Sequence, residues 1–278
     1  MDSTELILLA FATLMIGGAD VYGGYAARTS HPLSVAAWSQ AAGIPILIVA
    51  AVIVGGTMTT RDLGLGAVAG VGSAVGVAAL YRGFAVSSVG IVAPVAATTA
   101  AIVPIVVGLV GGERPSTIAL VGLAVALVAV FLVSYLPGQR DHAIAAVIHG
   151  AVSGVGFGFM VIAYAATSTD SGVWSAVAGR TVAALVAGLA VLAISVDWRI
   201  ASSVRFATVM AGVLAAAGMA AFVTASQTSD LVVLGVVLGL MPTTTVVLAS
   251  IFLEDRLIAT QWLGIGLAAL AVAMISAG

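Results

Sequence analysis

The chain carries one stretch twice. Residues 88–134 read SVGIVAPVAATTAAIVPIVVGLVGGERPSTIALVGLAVALVAVFLVS, and residues 229–276 read SDLVVLGVVLGLMPTTTVVLASIFLEDRLIATQWLGIGLAALAVAMIS. Each copy is an apolar run containing proline, a short charged turn led by a glutamate (Glu113, Glu254), and a second apolar run. The glutamates are 141 positions apart, and the same offset sets Tyr81 against Phe222 and Ser88 against Ser229. An offset of 142 sets Gly122 against Gly264. A repeat of this length fixes the fold as two versions of one unit.

The solvent of that unit follows from charge. Charged residues make up 7% of the chain and hydrophobic residues 62%, where a soluble domain is about 25% charged. Mean hydropathy is +1.25. A membrane-spanning helix needs roughly 20 apolar residues, and ten runs of that kind alternate with short polar breaks. They cover residues 5–27, 33–55, 64–85, 89–111, 116–136, 143–166, 172–195, 206–227, 230–252 and 258–277. The expected fold is therefore an all-α integral membrane protein of ten transmembrane helices, divided into five-helix units at 3–136 and 142–277. Five is odd, so the second unit enters the membrane from the opposite side. The units become inverted repeats, an arrangement typical of secondary transporters with a substrate site near the midplane.

Several functions are disfavoured. Cysteine is absent, which removes disulfides, zinc-thiolate sites and thiol nucleophiles. Three histidines, at 31, 142 and 149, make no metal or catalytic constellation, so neither enzymatic activity nor a cofactor is expected. Net charge is −2 and gives no electrostatic case for nucleic acid. The N-terminal stretch MDSTELILLAF is acidic, lacks the positive n-region of a signal peptide, and reads as the start of a retained helix.

The five-span unit with a proline-bearing fourth span ending in Gly112-Glu113-Arg114 resembles the EamA-type members of the drug/metabolite transporter superfamily. Pro242 stands twelve residues before Glu254, as that pattern expects, and Arg180 matches an arginine often found early in the seventh span, with Gln40 its first-half counterpart. Ile16-Gly17 keeps only the glycine of the family's Trp-Gly pair, and Leu253-Glu254 lacks the usual preceding glycine. The resemblance implies export of amino acids, metabolites or drugs.

Asp20, Arg82, His149 and Arg180 are the ionisable residues well inside the spans, and an intramembrane charge is costly enough to mark function. At 1.5 Å per residue, Asp20 and His149 lie level on the helices that open the two repeats. They are candidates for a proton-exchanging pair beside the substrate path. A static role, with Asp20 paired to Arg82 or to backbone, is the alternative. Arg180 reads as a carboxylate ligand or as a side chain snorkelling to the interface. Thr98 and Thr99 follow Pro94, and Thr243 and Thr244 follow Pro242. With Pro104, these prolines are expected to kink the fourth and ninth spans where they line the cavity, unless the threonines merely bond back within their helices. Tyr22, Tyr25, Tyr81 and Tyr164 are candidate cavity walls. Trp38, Trp174 and Trp198 read as interface anchors. Glu113 and Glu254 read as caps or partners of Arg114 and Arg256.

The expected activity is secondary transport by alternating access, as an exporter in the plasma (inner) membrane of a prokaryote. A cavity almost free of fixed positive charge disfavours phosphorylated cargo. A small neutral, zwitterionic or cationic solute fits better. The expected partners are that solute, the bilayer, protons as coupling ion and a second copy in a homodimer. The alternatives are a lipid flippase or accessory subunit, or an uptake permease. Arginine distribution points to termini outside the cell, whereas the family resemblance implies termini inside.

Overall fold

The computed structural model describes residues 3–87, 89–110, 116–133, 140–227, 244–245, 248 and 258–277. These form nine helices: α1 Ser3–Thr29, α2 Pro32–Val54, α3 Thr60–Val86, α4 Val89–Val110, α5 Thr117–Val133, α6 Arg140–Ala165, α7 Trp174–Ala193, α8 Arg205–Ser226 and α9 Ala259–Ala277. Two 3₁₀ turns, Thr169–Ser171 and Ser202–Val204, precede α7 and α8. No strand occurs among the described residues. Seven helices are long and apolar enough to cross a membrane, while α5 and the apolar part of α9, Trp262–Ala271, are shorter. The expected span 230–252 lies outside the described residues apart from three positions, and Glu113, Glu254, Pro242 and Thr243 lie outside them too.

Side-chain size is sorted from inside to outside. Ala12, Ala26, Ala36, Ala51, Ala69 and Ala183 are fully buried, while large apolar side chains such as Ile53, Leu189 and Val110 point outward, the last 86% exposed. Water would penalise that surface. Lipid does not, and small residues at the contacts let helix backbones approach closely. One such approach, reciprocal between two glycines, joins α3 to α6. A Cβ on Gly72 would lie 2.6 Å from the carbonyl oxygen of Gly156, and a Cβ on Gly156 would lie 2.6 Å from that of Gly72.

The largest described interfaces all run between the two halves: α1 with α8, α3 with α6 and α7, α2 with α7 and α8, α4 with α6, and α5 with α9. Exchanging the halves maps all of these pairings but α4–α6 onto one another, the counterpart of α4 lying almost wholly outside the described residues. The pair α1–α8 becomes α6–α3, α2–α8 becomes α7–α3, and α2–α7 and α5–α9 map onto themselves.

The connecting loops obey the same exchange. At one end of α2, the α2–α3 connection is clasped to the α6–α7 connection. Thr57 N donates to the Asp170 carbonyl at 2.8 Å. Ser168 donates to the Asp62 carboxylate from its backbone N at 3.0 Å and from Oγ at 2.6 Å. Gln227 Nε2, at the end of α8, donates to the Gly172 carbonyl at 2.9 Å. Gly55, Gly56 and Gly172 all have positive φ here, and a Cβ on Gly56 would meet the Asp170 carbonyl oxygen at 2.9 Å, so the loops need glycine to meet. At the other end of α2, roughly 35 Å away, the α1–α2 connection is clasped to the α7–α8 connection. Ser34 Oγ donates to the Asp197 carbonyl at 2.7 Å, Trp38 Nε1 to the Trp198 carbonyl at 2.9 Å, and Ala201 N to Ser30 Oγ at 3.0 Å.

Candidate functional site

Seven helices converge on a buried cavity of about 90 Å³. Helical spacing selects which side chains reach it. Ile16, Ala19 and Asp20 come from α1 at positions i, i+3 and i+4; Ser73, Val77 and Tyr81 come from α3 two turns long; Ala93, Ala96, Ala97 and Ala100 form the α4 wall. Phe157 and Met160 of α6, with Met219 and Phe222 of α8, close the remainder. The walls are apolar, and polarity is concentrated in Asp20, Ser39, Gln40, Ser73, Tyr81 and Arg180.

Arg180, 6% exposed, reaches inward from α7. Its Nη2 donates to the carbonyls of Ser39 at 3.3 Å and Gly212 at 3.0 Å. The guanidinium lies against Gly43, whose Cβ would fall 2.6 Å from Nε. A side chain on that turn of α2 would displace it. Gln40, the repeat counterpart of Arg180, donates through Nε2 to Ser73 Oγ at 3.1 Å. Among the described residues, Arg180 Nε and Gln40 Oε1 have no hydrogen-bond partner. Such groups are costly to bury in hydrocarbon. Tyr81 packs against Gly23, bonds Ser39, and feels both Asp20 and Arg180. Asp20 Oδ2 accepts from Thr245 Oγ1 at 3.1 Å. The cavity thus offers one carboxyl group, one guanidinium, a phenol, an amide and two serine hydroxyls.

The structure brings Asp20, Tyr81 and Arg180 together. It does not bring His149 to them: His149 sits against Gly83, beside Arg82, outside this lining. Asp20 is held by Thr245 and not by Arg82. Arg180 turns to the interior rather than to the interface. Tyr22 is exposed and stacks edge-on against Phe206 at 6.4 Å; two residues from Asp20, it falls on another face of α1. Tyr25 is exposed, and Tyr164 is buried with its hydroxyl against Gly179. Thr98 Oγ1 bonds back to the Pro94 carbonyl at 2.9 Å, one turn away from the carbonyl that Pro94 frees. Thr99 packs against Gly154, and Thr244 packs against Gly17. Both Pro94 and Pro104 lie within the continuous helix α4. Trp38 and Trp198 are exposed at one end of α2, while Trp174 opens α7 and packs on the core.

The family model for EamA-like transporters matches this chain twice, over residues 3–135 and over residues 144–277. The chain belongs to the EamA-like transporter family. This EamA-like chain is accordingly a multi-pass membrane transporter of the drug/metabolite transporter type. It also superposes on a solved crystal structure with a TM-score of 0.70 at 16% identity, covering 99% of this chain and 96% of the other, a likeness of fold. Among curated proteins nothing matches the chain. In this EamA-like chain the polar site residues that sequence reasoning passed over altogether are Ser39 and Ser73, while Gln40 was noted only as the counterpart of Arg180. Both serines are small polar residues on apolar helices, and only their helical phase relative to Gln40 and Tyr81 marks them.

Proposed function

We propose that this EamA-like chain is a secondary transporter that exports a small zwitterionic solute across the plasma membrane of a prokaryote by alternating access. The central cavity is its substrate site. The observation that carries the reading is the placement of Asp20 and Arg180 in one apolar cavity with Arg180 Nε and Gln40 Oε1 unpartnered. A solute carboxylate fits the guanidinium of Arg180, whose Nε still has a hydrogen to donate, and an ammonium, a donor, fits Asp20 and the unpartnered Gln40 Oε1. The alanine wall of α4, facing Phe157 and Phe222, leaves an apolar surface for the solute's remaining part.

In this reading the two units are inverted five-helix repeats, and the clasps at the two ends of α2 are the two gates. Opening one clasp while the other stays shut exposes the cavity to one side. Asp20 exchanges a proton with the open side and couples the cycle to a pH gradient. His149, outside the cavity lining, is not needed for that step.

The test is thermal unfolding of the detergent-purified protein against amino acids, amines, carboxylic acids and sugars. A ligand at a hundred times its dissociation constant stabilises by about 2.7 kcal/mol. Stabilisation by zwitterions, weaker for the matching amine or acid alone, is the expected result. Equal response to neutral sugars, or none to any zwitterion, overturns the reading.

A further inference from the structure

A second concavity opens toward lipid between α2 and α8, at the end of the molecule where Trp38 is clasped to Trp198. It encloses about 650 Å³ and is much wider than the central cavity. Its chemistry is graded along the helix axes. At the mouth stand Arg199, on the connection into α8, and Arg205, the first residue of α8. One turn deeper the walls become apolar, with Ala42 on α2 and Val209 on α8. Trp38 and Trp198 flank the mouth, half-exposed, with Trp38 Nε1 tied to the Trp198 carbonyl at 2.9 Å.

Both arginines are exposed, and among the described residues neither pairs with a carboxylate. Asp197, the nearest acid in sequence, spends an oxygen on the backbone N of Arg199 at 2.9 Å. Arg205 commits only Nε, to the Ile200 carbonyl at 3.3 Å, which leaves the outer face of its fork available. Two guanidinium groups over an apolar slot, framed by tryptophans, match a molecule with an anionic head and a hydrocarbon tail.

We propose that this groove is a binding site for one anionic phospholipid. Its phosphate sits between Arg199 and Arg205, and an acyl chain lies in the slot between α2 and α8. Basic pockets between membrane helices recognise anionic headgroups in this way, and guanidinium forks suit phosphate oxygens. The groove borders the Trp38–Trp198 clasp, so the lipid braces that end of the molecule.

The test uses lipid-stripped full-length protein in detergent. Phosphatidylglycerol and phosphatidylcholine with the same acyl chains are titrated separately, with inorganic phosphate as a third arm. Binding is read by native mass spectrometry and by the unfolding temperature. One phosphatidylglycerol per chain should be retained, on the order of tenfold more tightly than phosphatidylcholine, and phosphate alone should give no shift. The R199Q/R205Q variant should lose the preference while unfolding at the unchanged temperature in detergent alone. Should that variant fold poorly, Val209→Trp fills the slot, keeps both arginines and should abolish retention. Equal retention of the two lipids overturns the proposal, as does a preference that survives either variant. A shift with phosphate alone assigns the arginines to a free anion and overturns the lipid assignment.

Discussion

Asp20 is a carboxylate that, among the described residues, meets the Thr245 hydroxyl and the cavity and pairs with no arginine. A carboxamide at that position still accepts from Thr245, so Asp20→Asn removes the titrating group with its charge and little else. The variant should fold, with an unfolding temperature within a few degrees of the parent, and should bind the zwitterion more weakly, since the ammonium loses its charged partner. In proteoliposomes its transport should no longer respond to an imposed pH gradient. An undiminished response would remove Asp20 from the coupling step. Asp20, Tyr81 and Arg180 were legible in the sequence as rare polar groups within apolar spans. Tyr22 was not separable from them by composition. Its distance of two residues from Asp20 places it on a different face, and that angular argument is available from numbering alone. Residue scarcity also misled for His149, since equal depth in the bilayer does not make two helices present their side chains to the same space.

At the scale of elements, contact is made by backbone more than by side chain. The crossing of α3 and α6 at Gly72 and Gly156 leaves each glycine's missing Cβ aimed at the other's carbonyl oxygen. Neither backbone can yield cheaply. Gly72→Leu should therefore separate the helices and destabilise the protein by about 1–3 kcal/mol, read as a lowered midpoint in denaturing detergent. Gly64 and Gly266, whose Cβ positions meet nothing within 4 Å, supply the control: alanine there should cost little or stabilise. A parent-like midpoint for Gly72→Leu would mean that the crossing is looser than this geometry. The glycine clusters announced close packing in the sequence, but not the partner of each helix. The clasps were less legible still. Asp62 reads as a polar break residue, yet it is 2% exposed and gathers both Ser168 donors and the Thr59 hydroxyl. That role depends on a loop 106 residues away, and no local pattern encodes such a distance.

At the scale of the whole molecule, the repeat gave the number of units and the order of their helices, but not how they mesh. The halves do not stand side by side. The large described interfaces pair a helix of one half with a helix of the other, so each half alone would present its alanine and glycine faces to lipid without partners. Residues 1–138 produced by themselves should insert yet remain sensitive to protease in detergent. The two halves produced together as separate chains should recover the resistance of the intact protein. Resistance of the first half alone would show that it folds independently.

That interleaving bears on how the protein is made. Its first half leaves the ribosome before any of the helices that will cover it exist. Elongation at about 5–20 residues per second puts roughly 7–28 s between the completion of the two halves. Throughout that interval the faces of the early helices that will meet the second half stand uncovered in the bilayer. Other small-faced helices passing by are competitors for the same surfaces, and the cell's insertion machinery has to hold them off until the chain closes on itself.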